Sequence, residues 1–141
     1  MAYLEKLLVV KKSRLPGAGL GLFTKAKIPK GSRIVEYKGR LQSWSEVKHE
    51  DGYNGYILRV NQRLAINAQP YKKALGRFAN DANGLSRSTL LKNNAEYIVD
   101  GHKCFIDAIV DIPAGKEIFV GYGWEYWSLI RRLITKKSSS N

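Results

Sequence analysis

Cysteine is almost absent from this chain. Cys104 is the single thiol, so neither an internal disulfide nor a multi-thiolate zinc site can form, and the expected compartment is intracellular and reducing. Histidine is nearly as scarce. His49 and His102 stand alone with no partner at ligand spacing, so no metal centre is expected. No apolar run approaches the ~20 residues that cross a bilayer, which excludes a membrane partner. Met1 to Val10 lacks the basic start and cleavage signal of a secretory leader. The remaining shortage is acid: 24 Lys and Arg face 12 Asp and Glu, a net charge of +12. The imbalance is lopsided, with 16 basic against 5 acidic residues over 1–80 (+11) and 8 against 7 over 81–141 (+1). A basic half suits an anionic partner such as nucleic acid; the alternative is a well-solvated basic surface. Apart from Lys11-Lys12, Lys72-Lys73, Arg131-Arg132 and Lys136-Lys137 the cations are dispersed, so no basic arm is visible.

What the chain does contain is many short apolar runs cut by turns. The pattern predicts strands over Leu7–Lys12, Gly21–Lys25, Arg33–Tyr37, Tyr56–Val60, Leu64–Ala68, Glu96–Val99, Lys103–Ile109 and Glu117–Tyr122. Asp100-Gly101 marks a hairpin. Ser43-Trp44-Ser45-Glu46 reads as a capping box opening a helix to about Glu50. Pro70–Leu75 reads as a short helix that Gly76 stops, and Glu125–Ile134 has helical spacing. Residues 82–94 read as a polar loop, and 135–141 as a disordered polar tail. Ile28-Pro29-Lys30-Gly31 and Ile112-Pro113-Ala114-Gly115 share one turn pattern, each followed by a strand-like run. The fold class is therefore mainly β with short helices, in a domain spanning 1–134.

Three further runs carry chemistry. The first is Gly17-Ala18-Gly19-Leu20-Gly21-Leu22-Phe23. Alternating glycines let a backbone approach a ligand closely. A dinucleotide-binding fingerprint would need a helix directly after them, whereas Leu22–Lys27 reads as strand and Pro29 ends any helix. The second run is Arg77-Phe78-Ala79-Asn80-Asp81, and the third is Glu117-Ile118-Phe119-Val120-Gly121-Tyr122-Gly123.

In this order the three runs resemble the SET-domain family of protein lysine methyltransferases, over about residues 7–127. The resemblance implies small curved sheets around a pseudoknot, in which Arg77–Asp81 passes close to Glu117–Tyr122. It also implies S-adenosyl-L-methionine as methyl donor. By match, Ala18, Gly19, Leu20 and Gly21 present backbone to the donor, while Arg77, Phe78, Asn80 and Asp81 bind its amino-acid and adenine ends. The chain departs from the family at Asp81, where histidine is usual, and in an apparent insertion over Gly84–Lys92 before Asn93-Asn94. Tyr122 falls at the catalytic tyrosine, beside the transferring methyl. Tyr37 and Tyr97 shape the lysine channel, Val120 falls where methyl number is influenced in other members, and Tyr56 lies near the donor.

Many members close the channel with a three-cysteine zinc element, which a single cysteine rules out here. The run Trp124-Glu125-Tyr126-Trp127 looks like that of zinc-free, stand-alone members, with Trp124 or Trp127 covering the adenine. Helical spacing of Trp127, Ile130 and Ile134 suits core packing equally. The implied partner is a protein lysine, histone or histone-like, and a basic substrate would need local acid, for which Glu36, Glu46, Glu50, Asp51 and Glu96 are candidates. A SET-fold binding module with little activity, or a nucleic-acid-associated protein, are the alternatives.

Overall fold

The computed structural model describes residues 4–50, 56–82 and 91–121. Tyr122, Trp124 and Trp127, the expected helix and tail after them, most of the 84–92 insertion and Asp51 lie outside the described residues.

Among the described residues, nine short strands form three antiparallel three-stranded sheets. The first has the order β1 (Leu8–Lys12), β2 (Leu20–Thr24), β9 (Glu117–Ile118). The second runs β3 (Arg33–Glu36), β8 (Lys103–Ala108), β7 (Ala95–Asp100), and the third β4 (Arg40–Ser43), β6 (Leu64–Asn67), β5 (Ile57–Arg59). The fold is mainly β, as the runs predict. Their apolar positions face a shared core in which Leu22, Ile28, Ile34, Val35, Ile106, Ile112, Ile118 and Val120 are buried. Adjacent Ile34 and Val35 are both inside, so β3 is covered on both faces.

Local chemistry explains most of the boundaries. Asp100 pairs with Lys103 across Gly101-His102, and Gly101 takes φ 64°, the conformation a tight hairpin demands. Ser43 Oγ accepts the Glu46 N–H (3.3 Å) and caps the single turn α1 (Trp44–Val47), which continues as a 3-10 turn over Lys48–Glu50. The two Ile-Pro-x-Gly turns lie back to back. Ile28 and Ile112 exchange both backbone hydrogen bonds at 2.8 Å, which ties the first sheet to the second.

Four expectations need correction. β4 carries no apolar alternation and went unpredicted; it exists because its backbone pairs with β6 from Arg40↔Asn67 to Ser43↔Leu64. Pro70–Leu75 is not a helix; the helical turn is a 3-10 segment at Leu75–Phe78. Gly76 sits inside that turn rather than stopping it. A Cβ there would lie 2.8 Å from the Glu36 carbonyl oxygen, so the glycine lets the turn pass directly beneath the end of β3. The last strand stops at Ile118, because Phe119 and Val120 leave the ladder for single parallel bridges to Asn80 and Ala95. Asp107 holds Arg33 in a two-pronged pair, Nε–Oδ1 2.9 Å and Nη2–Oδ2 3.1 Å, across β3 and β8.

Candidate active site

The crossing comes first, because every other part hangs on it. Val120 N–H donates to the Asn80 carbonyl (2.8 Å), while Asn94 and Ala95 N–H both donate to the Phe119 carbonyl (2.9 and 3.0 Å). Phe119-Val120 is thus threaded between the 77–81 segment and the start of β7. The Asn94 side chain completes the thread: its Oδ1 accepts the Phe119 N–H and its Nδ2 donates to the Glu117 carbonyl, both at 2.9 Å. One amide serves as strand partner to the Glu117 carbonyl and the Phe119 N–H.

The glycine loop is closed on itself. Ser13 N–H donates to the Gly19 carbonyl (2.8 Å) and Ala18 N–H to the Leu15 carbonyl (3.2 Å). Gly17 and Gly19 adopt φ 74° and 73°, where a side chain would be strained. Gly21 serves another purpose. A Cβ at that position would run into the carboxylate of Glu117, so the close approach there is by the protein's own acid. Leu20 is 52 % exposed, and its carbonyl accepts the Asn80 Nδ2–H (2.9 Å), joining the first run to the second. Asn80 Oδ1 keeps a free lone pair among the described residues. Ala18 packs against the buried cluster of Leu15, Ala82 and Phe119.

Asp81 is buried and accepts the Asn93 Nδ2–H (2.9 Å), while Asn93 Oδ1 accepts the Ala82 N–H (2.8 Å). Asn93 Nδ2 also stands 3.5 Å from where a Gly121 Cβ would be. The acid at position 81 therefore anchors the loop that flanks the residue preceding Tyr122.

The tyrosines form a second group. Tyr37 is 4 % exposed, and its hydroxyl donates to the Tyr56 carbonyl (2.9 Å). Its ring meets that of Tyr97 edge to face, with centroids 5.6 Å apart. Arg77 lies with its guanidinium 3.9 Å over the Tyr56 ring and 5.7 Å from that of Phe78. Its Nη1 donates to the carbonyls of Ala68 (3.1 Å) and Gln69 (3.0 Å). Its Nε is buried with no hydrogen-bond partner among the described residues. Cys104 lies in the same apolar cluster as Tyr37. Burial first, then the nearby Asp107 carboxylate, pushes its thiol up to about 12, so it takes no part as a nucleophile.

The structure thus brings together Ala18, Gly19, Leu20, Gly21 and Asn80 on one side, and Tyr37, Tyr56, Tyr97, Arg77 and Phe78 on the other. Asp81 lies beside the first group. Sequence reasoning missed Ser13 and the Glu117 side chain, and gave Asn94 a place without a task. Charged residues are rarely buried, so nothing marked Glu117 as internal. Gly21 was the available hint, since glycine within a strand signals a close approach.

Among the described residues no helix is long and apolar enough to cross a membrane, and no group of His, Cys, Asp and Glu side chains is arranged to hold a metal. A threaded C-terminal strand, a closed glycine loop and an asparagine bridging the two define a SET domain. The family model for the SET domain matches residues 19–123, and the chain belongs to that family. It is 28% identical over 148 residues to a histone-lysine N-methyltransferase EZH2 of Chaetomium thermophilum, covering 96% of this chain and 9% of that protein. It is 32% identical over 136 residues to a variant-silencing SET domain-containing protein of Plasmodium falciparum, covering 86% and 5%. It is 28% identical over 124 residues to a histone-lysine N-methyltransferase set-17 of Caenorhabditis elegans, covering 83% and 41%. The chain therefore spans well under half the length of each of these relatives.

Proposed function

We propose that this SET domain transfers a methyl group from S-adenosyl-L-methionine to the ε-amine of a protein lysine, with histone or histone-like proteins as the substrate class. The observation that carries the reading is the Asn80–Leu20 hydrogen bond, which fastens the asparagine run to the glycine loop directly beside the thread leading to Tyr122. Two of the named relatives are histone-lysine N-methyltransferases, which supports the substrate class.

The polar atoms left over fit a zwitterionic donor. Asn80 Oδ1 is an acceptor for its ammonium, and the orphaned Arg77 Nε–H is a donor for its carboxylate. Exposed Leu20 and the backbone of Ala18, Gly19 and Gly21 offer a surface for the remainder, to which Phe78, Asp81 and Tyr56 and, by the family resemblance alone, Trp124 and Trp127 are assigned. When bound, S-adenosylmethionine supplies a methyl carried on a sulfonium, open to in-line displacement. Displacement needs a neutral amine held in line and shielded from water. Tyr122 would orient the amine through its hydroxyl, and Tyr37 and Tyr97 would wall the channel with rings that exclude water.

Calorimetric titration of S-adenosylmethionine into the protein tests the donor site. Micromolar binding that Asn80→Ala abolishes is the expected result, followed by transfer of labelled methyl to a histone mixture. Absence of binding by the wild-type chain would reduce the reading to a SET-fold module without catalysis.

A further inference from the structure

Glu117 is an acid placed where acids are costly. It is 2 % exposed, and no Lys or Arg forms an ion pair with it among the described residues. Burying a carboxylate costs several kcal/mol unless hydrogen bonds replace its water. Both replacements come from one short segment far away in sequence. Ser13 Oγ–H donates to Oε2 (2.6 Å) and Arg14 N–H donates to Oε1 (2.8 Å), from 104 and 103 residues upstream. Ser13 Oγ in turn accepts the Leu15 N–H (3.1 Å), so the same hydroxyl sets the first turn of the glycine loop. Room for the carboxylate exists only because residue 21, at the loop's far end, has no side chain.

The carboxylate therefore grips both ends of the loop, at Ser13-Arg14 and against Gly21. Between them Pro16, Gly17, Gly19 and Leu20 are exposed. Such a segment, rich in glycine, loses much conformational freedom when it is ordered. A loop already ordered spares that loss when a ligand binds.

We propose that Glu117 is a positioning residue for the methyl donor: its carboxylate fixes the path of the Ser13–Gly21 loop before the donor arrives, and thereby sets donor affinity. The proposal rests on the reading of this loop as the donor site. Its test uses two measurements on wild type, Ser13→Ala, Glu117→Gln and the double variant. Amide hydrogen exchange without donor reads the loop itself, and calorimetry with S-adenosylmethionine reads affinity.

Each single variant should speed exchange over residues 13–21 roughly tenfold while leaving β3, β7 and β8 protected, since one charge-assisted hydrogen bond is lost. Donor affinity should weaken by a similar factor, with turnover at saturating donor within about threefold of wild type. The double variant should be little worse than the worse single one, because both remove the same contact. Faster exchange throughout the protein would make Glu117 an ordinary buried residue and overturn the proposal. So would a loosened loop with unchanged affinity, or affinity within twofold in both single variants. If wild type binds no donor, the functional reading fails on its own account; the loop exchange then still reports whether the grip exists, and its donor role falls with that reading.

Discussion

At one end of the Leu75–Asp81 segment, the glycine loop and Asn80 are held by hydrogen bonds between distant stretches of chain: Asn80 to Leu20, Glu117 to Ser13 and Arg14, Val120 to Asn80. At the other end, Tyr37, Tyr56, Tyr97 and Arg77 are held largely by ring faces, with the Tyr37 hydroxyl and Arg77 Nη1 bonded to nearby carbonyls. The two ends differ in how they can fail. A hydrogen bond to a buried group is lost whole, and its partner is left unsatisfied. Ring packing degrades by degrees as atoms are trimmed. In the proposed chemistry the directional half serves the donor, whose charged groups must be matched one by one. Within the packed half Tyr37 and Tyr97 serve the lysine, whose aliphatic stem needs a snug apolar wall, while Arg77 and Tyr56 belong to the donor's side of that reading.

Variants should separate these halves. The largest effect is expected for Tyr122→Phe. It should lower methyl transfer by about 100- to 1,000-fold, the scale of losing one aimed hydroxyl, while calorimetry finds donor affinity within twofold. Equal loss of both would erase the division. Next comes the seam itself. Gly76→Ala puts a methyl 2.8 Å from the Glu36 carbonyl oxygen and 3.2 Å from Tyr37 Cα, so denaturant unfolding should show a loss of about 2–3 kcal/mol. Because the turn adjoins both halves, donor affinity and turnover should fall together.

A smaller effect is expected for Tyr37→Phe. It removes one of two donors to the Tyr56 carbonyl, which keeps the Ala68 N–H (3.0 Å), at a cost of about 1 kcal/mol, and should change turnover or the number of methyls added without moving donor affinity. The smallest concerns Cys104. Its thiol, pushed up to about 12 by burial, should fail to react with an aromatic disulfide reagent at pH 8. The native state keeps this proton while the unfolded chain gives it up, so the contribution is intact below the ordinary thiol value of about 8.5. It is lost as pH rises from there towards about 12. Rapid labelling at pH 8 would mean that the cluster around Tyr37 opens readily.

The sheets were legible where residues carried their own instructions. Asp100-Gly101 announced its hairpin, and the paired Ile-Pro-x-Gly turns announced two equivalent corners, though not that they would bond to one another. β4 was invisible because Arg40-Leu41-Gln42-Ser43 has no buried face to pattern; its strand state comes wholly from β6. Gly76 was misread because a helix-stopping glycine and a glycine making room for a neighbouring carbonyl look the same in a linear string. Within the candidate site, the described residues among those named from the family resemblance lie in two groups, while Tyr122, Trp124 and Trp127 fall outside the described residues. Glu117 and Ser13 escaped because a buried acid is intelligible only once its distant partners are known.

The thread through which β9 passes also has a history within each molecule. Translation delivers Ser13 before its partner, and the carboxylate it will hold emerges 104 residues later. At roughly 5–20 residues per second that is a wait of about 5–20 s. Until then β2 has an unpaired edge, and the Ser13 hydroxyl and Arg14 N–H lack the carboxylate that holds them. Such long-range pairings also slow folding. A ribosome stalled before Glu117 would therefore release a chain with its basic half assembled only in part and one sheet open at its side, a natural client for chaperones. The glycine loop gains its grip only once Glu117 is in place, so on the proposed reading a copy of this domain cut short of that residue should be inert rather than partly active.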